Sequence, residues 1–260
     1  MDFFATLPLD IEVLDKALGG GLERCSIISI LYDAFSLGWA LGFEMFKNLV
    51  NRDSFGVIHN YSLPAIKVLS RASFVGLNLQ RLATNNNVKI IDIFGSKYSI
   101  PPFADYVIQV ENPTEETLTP KIEHVYETEV YPTAGNRRIV KLVYTLDGVV
   151  TMFGEHVTIK LLNAEVAYLA KMYNRKNIIT IFLLNTDVVS KRFVAWVSSI
   201  SDTLIAFTSN LSRDGELVEK MTILKALTPE FEPMSYEFKV KSTGEGSSHS
   251  LTFTKKSKGH

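Results

Sequence analysis

The sequence predicts an α/β protein with a mostly parallel central sheet flanked by helices and extended by antiparallel C-terminal strands. Three observations carry this. Apolar runs at residues 26–31, 88–94 and 177–184 have strand length but lack hydrophobic/polar alternation, as expected of strands covered on both faces. Segments of helical period alternate with such runs, which is the pattern of parallel βαβ units. After residue 204 the pattern changes to strands joined by short turns, which suits antiparallel pairing.

The elements follow in order. Residues 3–9 are apolar and broken by Pro8, so they form an extended lead-in. Asp10 stands where it would cap a short helix with Ile11, Leu14 and Leu18 on one face, ended by Gly19. The strand at 26–31 leads through a loop to a helix over 36–48 that buries Leu41, Met45 and Phe46 and turns Glu44 and Lys47 outward. A second strand at 55–59 precedes a helix over 64–73, which has Pro64 in its first turn and is closed by Gly76. The third strand, 88–94, stops before Pro101 and Pro102. Asn112, Pro113 and Glu115 form a start signal for a helix reaching about residue 128. A fourth strand at 139–146 ends on the turn residues Asp147 and Gly148. A helix over 160–174 and a fifth strand at 177–184 follow, then strands at 204–208, 218–224 and 236–240, the first two joined by Arg213-Asp214-Gly215. Residues 1–240 read as one core domain, and 241–260, rich in Ser, Gly, Lys and His, as a flexible basic tail with at most one short strand at 251–254.

Composition narrows the function. The 260 residues are 46% hydrophobic, enough for a single extended core. The 27 Lys and Arg balance 28 Asp and Glu, so no global field draws the chain to nucleic acid or membrane, and such binding needs a local patch. The lone Cys25 excludes an intrachain disulfide, and with five scattered His it builds no metal site. No apolar run approaches the ~18 residues of a membrane span, and residues 1–10 lack a signal-peptide pattern. The expected setting is cytoplasmic.

Chemistry centres on the stretch from Leu14 to Val50. Gly19, Gly20 and Gly21, a strand, a loop and a helix are the context of a phosphate-binding loop. Such a loop reads G-x-x-x-x-G-K-[ST], because glycines let backbone N–H groups curl around phosphate, Lys reaches the outer oxygens and the hydroxyl holds Mg²⁺. Here Tyr32 and Leu37 stand for the two glycines, Gly38 for the lysine and Trp39 for the Ser or Thr. Nothing cationic is left in the loop, and Asp33 would repel a triphosphate. Asp33, Ser36, Gly38 and Trp39 therefore read as a vestigial loop without a nucleotide cofactor, with the Trp39 indole filling the phosphate space as core.

Over about residues 7–240 the chain resembles the RecA/RadA-type ATPase cores of the KaiC-like branch common in archaea. The likeness rests on Leu14-Asp15, Leu18 and the three glycines, on the turn at 74–79, and on a terminal hairpin spanning 215–225. It implies a RecA-like P-loop NTPase fold, ATP hydrolysis and side-by-side assembly. Yet the segment 59–63, where the family places its general base, contains no carboxylate. Asp147 matches the Mg²⁺-side aspartate, and reads equally well as a turn former. Asn185, Thr186 and Asp187 are weak candidates for sensing a γ-phosphate. Of the family's inter-subunit Lys-x-Arg pair, Lys225 remains and Leu227 replaces the arginine. These losses predict a pseudo-ATPase that binds a protein, a peptide or its own copies, with Phe3 and Phe4 either docking on a neighbour or packing at home. An alternative is an ATP-independent, RadA-paralogue-like DNA binder using Lys191, Arg192 and Trp196, though Phe193 and Trp196 also read as a helix packed on the core. A residual ATPase is the third reading.

Overall fold

The computed structural model describes residues 6–212, 214–229, 231–243 and 248–255. In chain order the elements are α1 (Glu12–Ala17), β1 (Ile27–Tyr32), α2 (Trp39–Asn51), β2 (Ser54–Asn60), α3 (Ala65–Phe74), α4 (Leu79–Thr84), β3 (Val88–Asp92), α5 (Ile93–Tyr98), β4 (Val107–Gln109) and α6 (Leu118–Val125). They continue as α7 (Tyr131–Ala134), β5 (Arg138–Tyr144), α8 (Leu146–Phe153), α9 (Glu155–Met172), β6 (Ile178–Asn185), α10 (Lys191–Ile200), β7 (Thr203–Leu211), β8 (Leu217–Lys225), β9 (Met234–Ser242) and β10 (His249–Lys255).

All described strands join one sheet in the order β10-β9-β8-β7-β1-β6-β5-β2-β3-β4. From β7 to β4 every pairing is parallel, and β8, β9 and β10 add to β7 antiparallel. The expected architecture is therefore the observed one. β1, β2 and nearly all of β5 and β6 are buried along their length, as expected of strands covered on both faces. One core layer lies under α2 and α3 with Trp39, Phe43 and Phe46; the other lies under α8, α9 and α10 with Phe55, Phe182 and Phe193.

Several boundaries differ from the sequence expectation, each for a local reason. Asp10 does not cap α1. It sits at φ 56° and pairs with Arg52, while Asp15 inside the helix accepts from Leu9 N at 2.6 Å and Ile11 N at 3.3 Å. Asn112, at φ 42°, is outside the extended conformation a helix cap adopts, so α6 begins at Leu118 and continues through a π turn (Tyr126–Val130) into α7. Asp147 and Gly148 form no turn: Thr145 caps α8 by accepting from Gly148 N at 3.3 Å. Gly154, at φ 81°, separates α8 from α9, which starts five residues before the expected Lys160. The basic tail is a strand over 249–255, longer than expected: β10 pairs along β9, with Phe253 tilted on Phe238 and His249 stacked on Phe74. Arg213, residues 244–247 and the basic residues beyond Lys255 lie outside the described residues.

Candidate functional site

The loop between β1 and α2 is closed by the protein's own acceptors. Ala34 N donates to Asp187 Oδ2 at 2.8 Å and Phe35 N to Asp33 Oδ1 at 3.1 Å. Ser36 N donates to the Asp33 carbonyl, and Gly38 N to Ser36 Oγ. Leu37 N meets both oxygens of Glu219, at 3.0 and 3.2 Å, and Ser36 Oγ donates to Glu219 Oε2 at 2.9 Å. Each backbone N–H from Ala34 to Gly38 thus has a partner inside the fold. Glu219, a buried carboxylate from β8, holds the donors that in a working loop would face phosphate.

Asp33 also fastens the loop to β7, accepting from Ser209 N at 2.5 Å and from Ser209 Oγ. Burial pushes the Glu219 carboxyl upward, the hydrogen bonds from Ser36 and Leu37 pull it down, and nearby Asp33 pushes it up again.

Gly38 is a glycine because of what faces it: a Cβ there would lie 2.5 Å from the Phe207 ring. Trp39 is buried as expected, edge-on to Phe43 at 6.1 Å, tilted on Phe74 at 5.3 Å, with the Arg71 guanidinium 4.5 Å above its ring.

The remaining expected site residues are tied elsewhere or apart. Asp147 accepts from Asn185 N at 3.0 Å and so links the ends of β5 and β6; burial raises its carboxyl, and that hydrogen bond opposes the rise. In the 59–63 segment, His59 Nε2 meets Tyr126 Oη at 3.0 Å, and Asn60 Nδ2 donates to Asp92 Oδ1 at 2.7 Å and to the Leu63 carbonyl at 2.6 Å. Burial, aided by the Lys141 charge, holds the His59 imidazole well below the usual histidine range. Lys225 does not project outward; its Nζ donates to the Ser201 carbonyl at 2.5 Å, just after α10. Lys191 and Arg192 are exposed on α10 beside Trp196, whereas Phe193 is fully buried. Phe3 and Phe4 lie outside the described residues.

Sequence reading missed Glu219. Its signal was a charge in the inward phase of β8, where Glu219, Met221 and Ile223 alternate with Lys220, Thr222 and Leu224. It also missed Phe207 and Ser209, which have no motif.

In open α/β sheets ligands bind at the carboxyl ends of the strands, where the chain leaves neighbouring strands toward opposite faces. Here β1 leads to α2 on one face and β6 to α10 on the other. That crevice is spanned by the Ala34–Asp187 bond and by Thr186 Oγ1 donating to the Tyr32 carbonyl at 3.3 Å.

No protein-family model and no curated protein matches the chain. Among solved structures it is similar to the KaiC-like protein PH0186 from the hyperthermophilic archaeon Pyrococcus horikoshii OT3, with a TM-score of 0.68, 11% identity and coverage of 95% of this chain and 99% of that one. The fold is KaiC/RecA-like. The uncharacterized protein PH0321 from Pyrococcus horikoshii, crystallised in complex with an unknown peptide, shares this RecA-like fold with a TM-score of 0.77, 23% identity and the same coverage of both chains. Among the described residues, no helix is long and apolar enough to cross a membrane, and no cluster of His, Cys, Asp or Glu could hold a metal ion.

Proposed function

We propose that this RecA-like chain is a pseudo-ATPase that binds a peptide segment of a partner protein. The observation that carries the reading is the closed loop: its N–H groups from Ala34 to Gly38 are all engaged, and Glu219 stands where an incoming anion would need donors. A nucleoside triphosphate would meet Asp33, Asp187 and Glu219 and no lysine, so the residues present do not fit it.

What the loop offers outward is apolar. Phe35 is 77% exposed at its apex, and Val188, Leu211 and Leu217 are exposed on the segments that Asp187, Ser209 and Glu219 bring to it. A rim of this kind suits apolar anchors of an extended peptide, and the peptide in the PH0321 crystals supports that class of ligand. Selection from a displayed peptide library, followed by affinity measurement, tests this. The selected peptides lose at least tenfold in affinity for Phe35→Ala and Leu211→Asp variants. Equal affinity for both variants, or recovery only of copies of this chain as a self-associated species on sizing, sinks the reading.

A second reading, DNA binding without ATP, is favoured by one observation: Arg192 and Trp196 sit one turn apart on the exposed face of α10, with Lys191 beside them. Low-salt gel shifts with single-stranded and duplex DNA decide it, and unshifted bands remove it.

A further inference from the structure

On the face of the sheet opposite α2 there is a second site. A cavity of about 90 Å³ lies between α6 and α9, floored by β2, β5 and β6. It reaches the surface, since exposed Glu123 and half-buried Thr119 and Leu161 also line it. Its buried charges are already neutralised. Lys141, 3% exposed, forms an ion pair with Glu165, and His59, neutral in this setting, shares a hydrogen bond with Tyr126 Oη. Tyr61 is the exception. It is 6% exposed and lines the cavity, and its hydroxyl has no hydrogen-bond partner among the described residues.

An unpartnered hydroxyl on a buried side chain that lines a cavity favours an occupant that supplies one polar group. A charged occupant would add an uncompensated charge to an interior already balanced, which is costly. Apart from Thr119, Glu123 and Thr158, whose hydroxyl donates to the Gly154 carbonyl, the rest of the lining is aliphatic or aromatic, with Leu162, Phe182 and Tyr168 among it. At about 90 Å³ the space is smaller than a closed dry cavity of ~150 Å³ that takes benzene, but it opens to the surface, so a single-ring compound fits with part of its ring in the open mouth. We propose that this cavity binds a small, uncharged, mostly apolar hydroxyl compound, of which phenol is the model, with the ligand hydroxyl hydrogen-bonded to Tyr61 Oη.

The test is a titration of the full chain with phenol and, separately, with toluene, which keeps the ring and lacks the hydroxyl. Phenol binds saturably at one site and about five- to tenfold more tightly than toluene, the ratio that one net hydrogen bond gives. Tyr61→Phe, which deletes only the hydroxyl atom, removes that preference. Leu161→Trp, at the half-buried mouth, abolishes binding of both compounds by filling the space. Three results overturn the proposal: no saturable binding of phenol to the native chain, a phenol preference that survives Tyr61→Phe, or binding that survives Leu161→Trp.

Discussion

Trp39 stands where a phosphate-binding loop carries Ser or Thr, and here it is core. Its indole packs between Phe43 and Phe74 under the Arg71 guanidinium, so Trp39→Ala is expected to lower unfolding free energy by ~3–5 kcal/mol in urea titrations, the range for truncating a large buried aromatic. This role was legible, because a tryptophan in place of Ser or Thr either fills the space a phosphate leaves or is exposed to a partner, and it is buried. Glu219 was not legible: it meets Ser36 across 183 residues of sequence, and no local pattern announces the partner. Replacing it separates shape from acceptance. Glu219→Gln keeps an acceptor and is close to neutral at pH 7, whereas Glu219→Leu strands the Ser36 hydroxyl and Leu37 N–H and costs ~2–4 kcal/mol. Hydrogen exchange at Leu37 reads the same difference, faster only in the leucine variant. His59 supplies a pH dependence. Its folded-state pKa is depressed, so between that value and the unfolded ~6.5 the unfolded chain binds more protons, and stability falls as pH falls. The slope from this group reaches ~1.4 kcal/mol per pH unit, and His59→Gln flattens it in denaturation curves measured from pH 7 to pH 5.

Elements were legible where periodicity is unambiguous and obscure where it is not. The buried strands β1 and β6 announce themselves as unbroken apolar runs between turn signals. α5 and α8 were missed because the apolar end of each expected strand, Ile93-Phe94 and Leu146, is already the first turn of the helix that follows. β10 was only partly legible, as the short strand at 251–254, for the opposite reason. Its sequence is polar enough to read as tail, yet Phe253 closes over Phe238 and His249 over Phe74, on the cluster that also holds Trp39. Phe253 is half-buried, so Phe253→Ala is expected to cost ~1–3 kcal/mol, less than a fully buried phenylalanine, as a lowered midpoint in thermal unfolding. A midpoint equal to that of the native chain would make β10 an appendage with no part in the core.

At the scale of the molecule, the fold is RecA-like, and the loop after β1 is tied to the end of β6 through Asp187, to β7 through Asp33 and to β8 through Glu219. The sequence disclosed the fold because apolar patterning repeats along the whole chain. The departures from a phosphate-binding loop at Gly38 and Trp39, and the lack of a carboxylate in 59–63, were legible because those positions belong to motifs. The sequence concealed the acceptors that hold the loop, since carboxylates that turn inward look like surface residues until the strands are paired. The most direct measurement is a calorimetric titration of the native chain with ATP and Mg²⁺. The account predicts no saturable heat at any concentration where a working loop would bind. A saturable heat with one nucleotide per chain would contradict it, because the loop would then have to release Glu219 to bind phosphate.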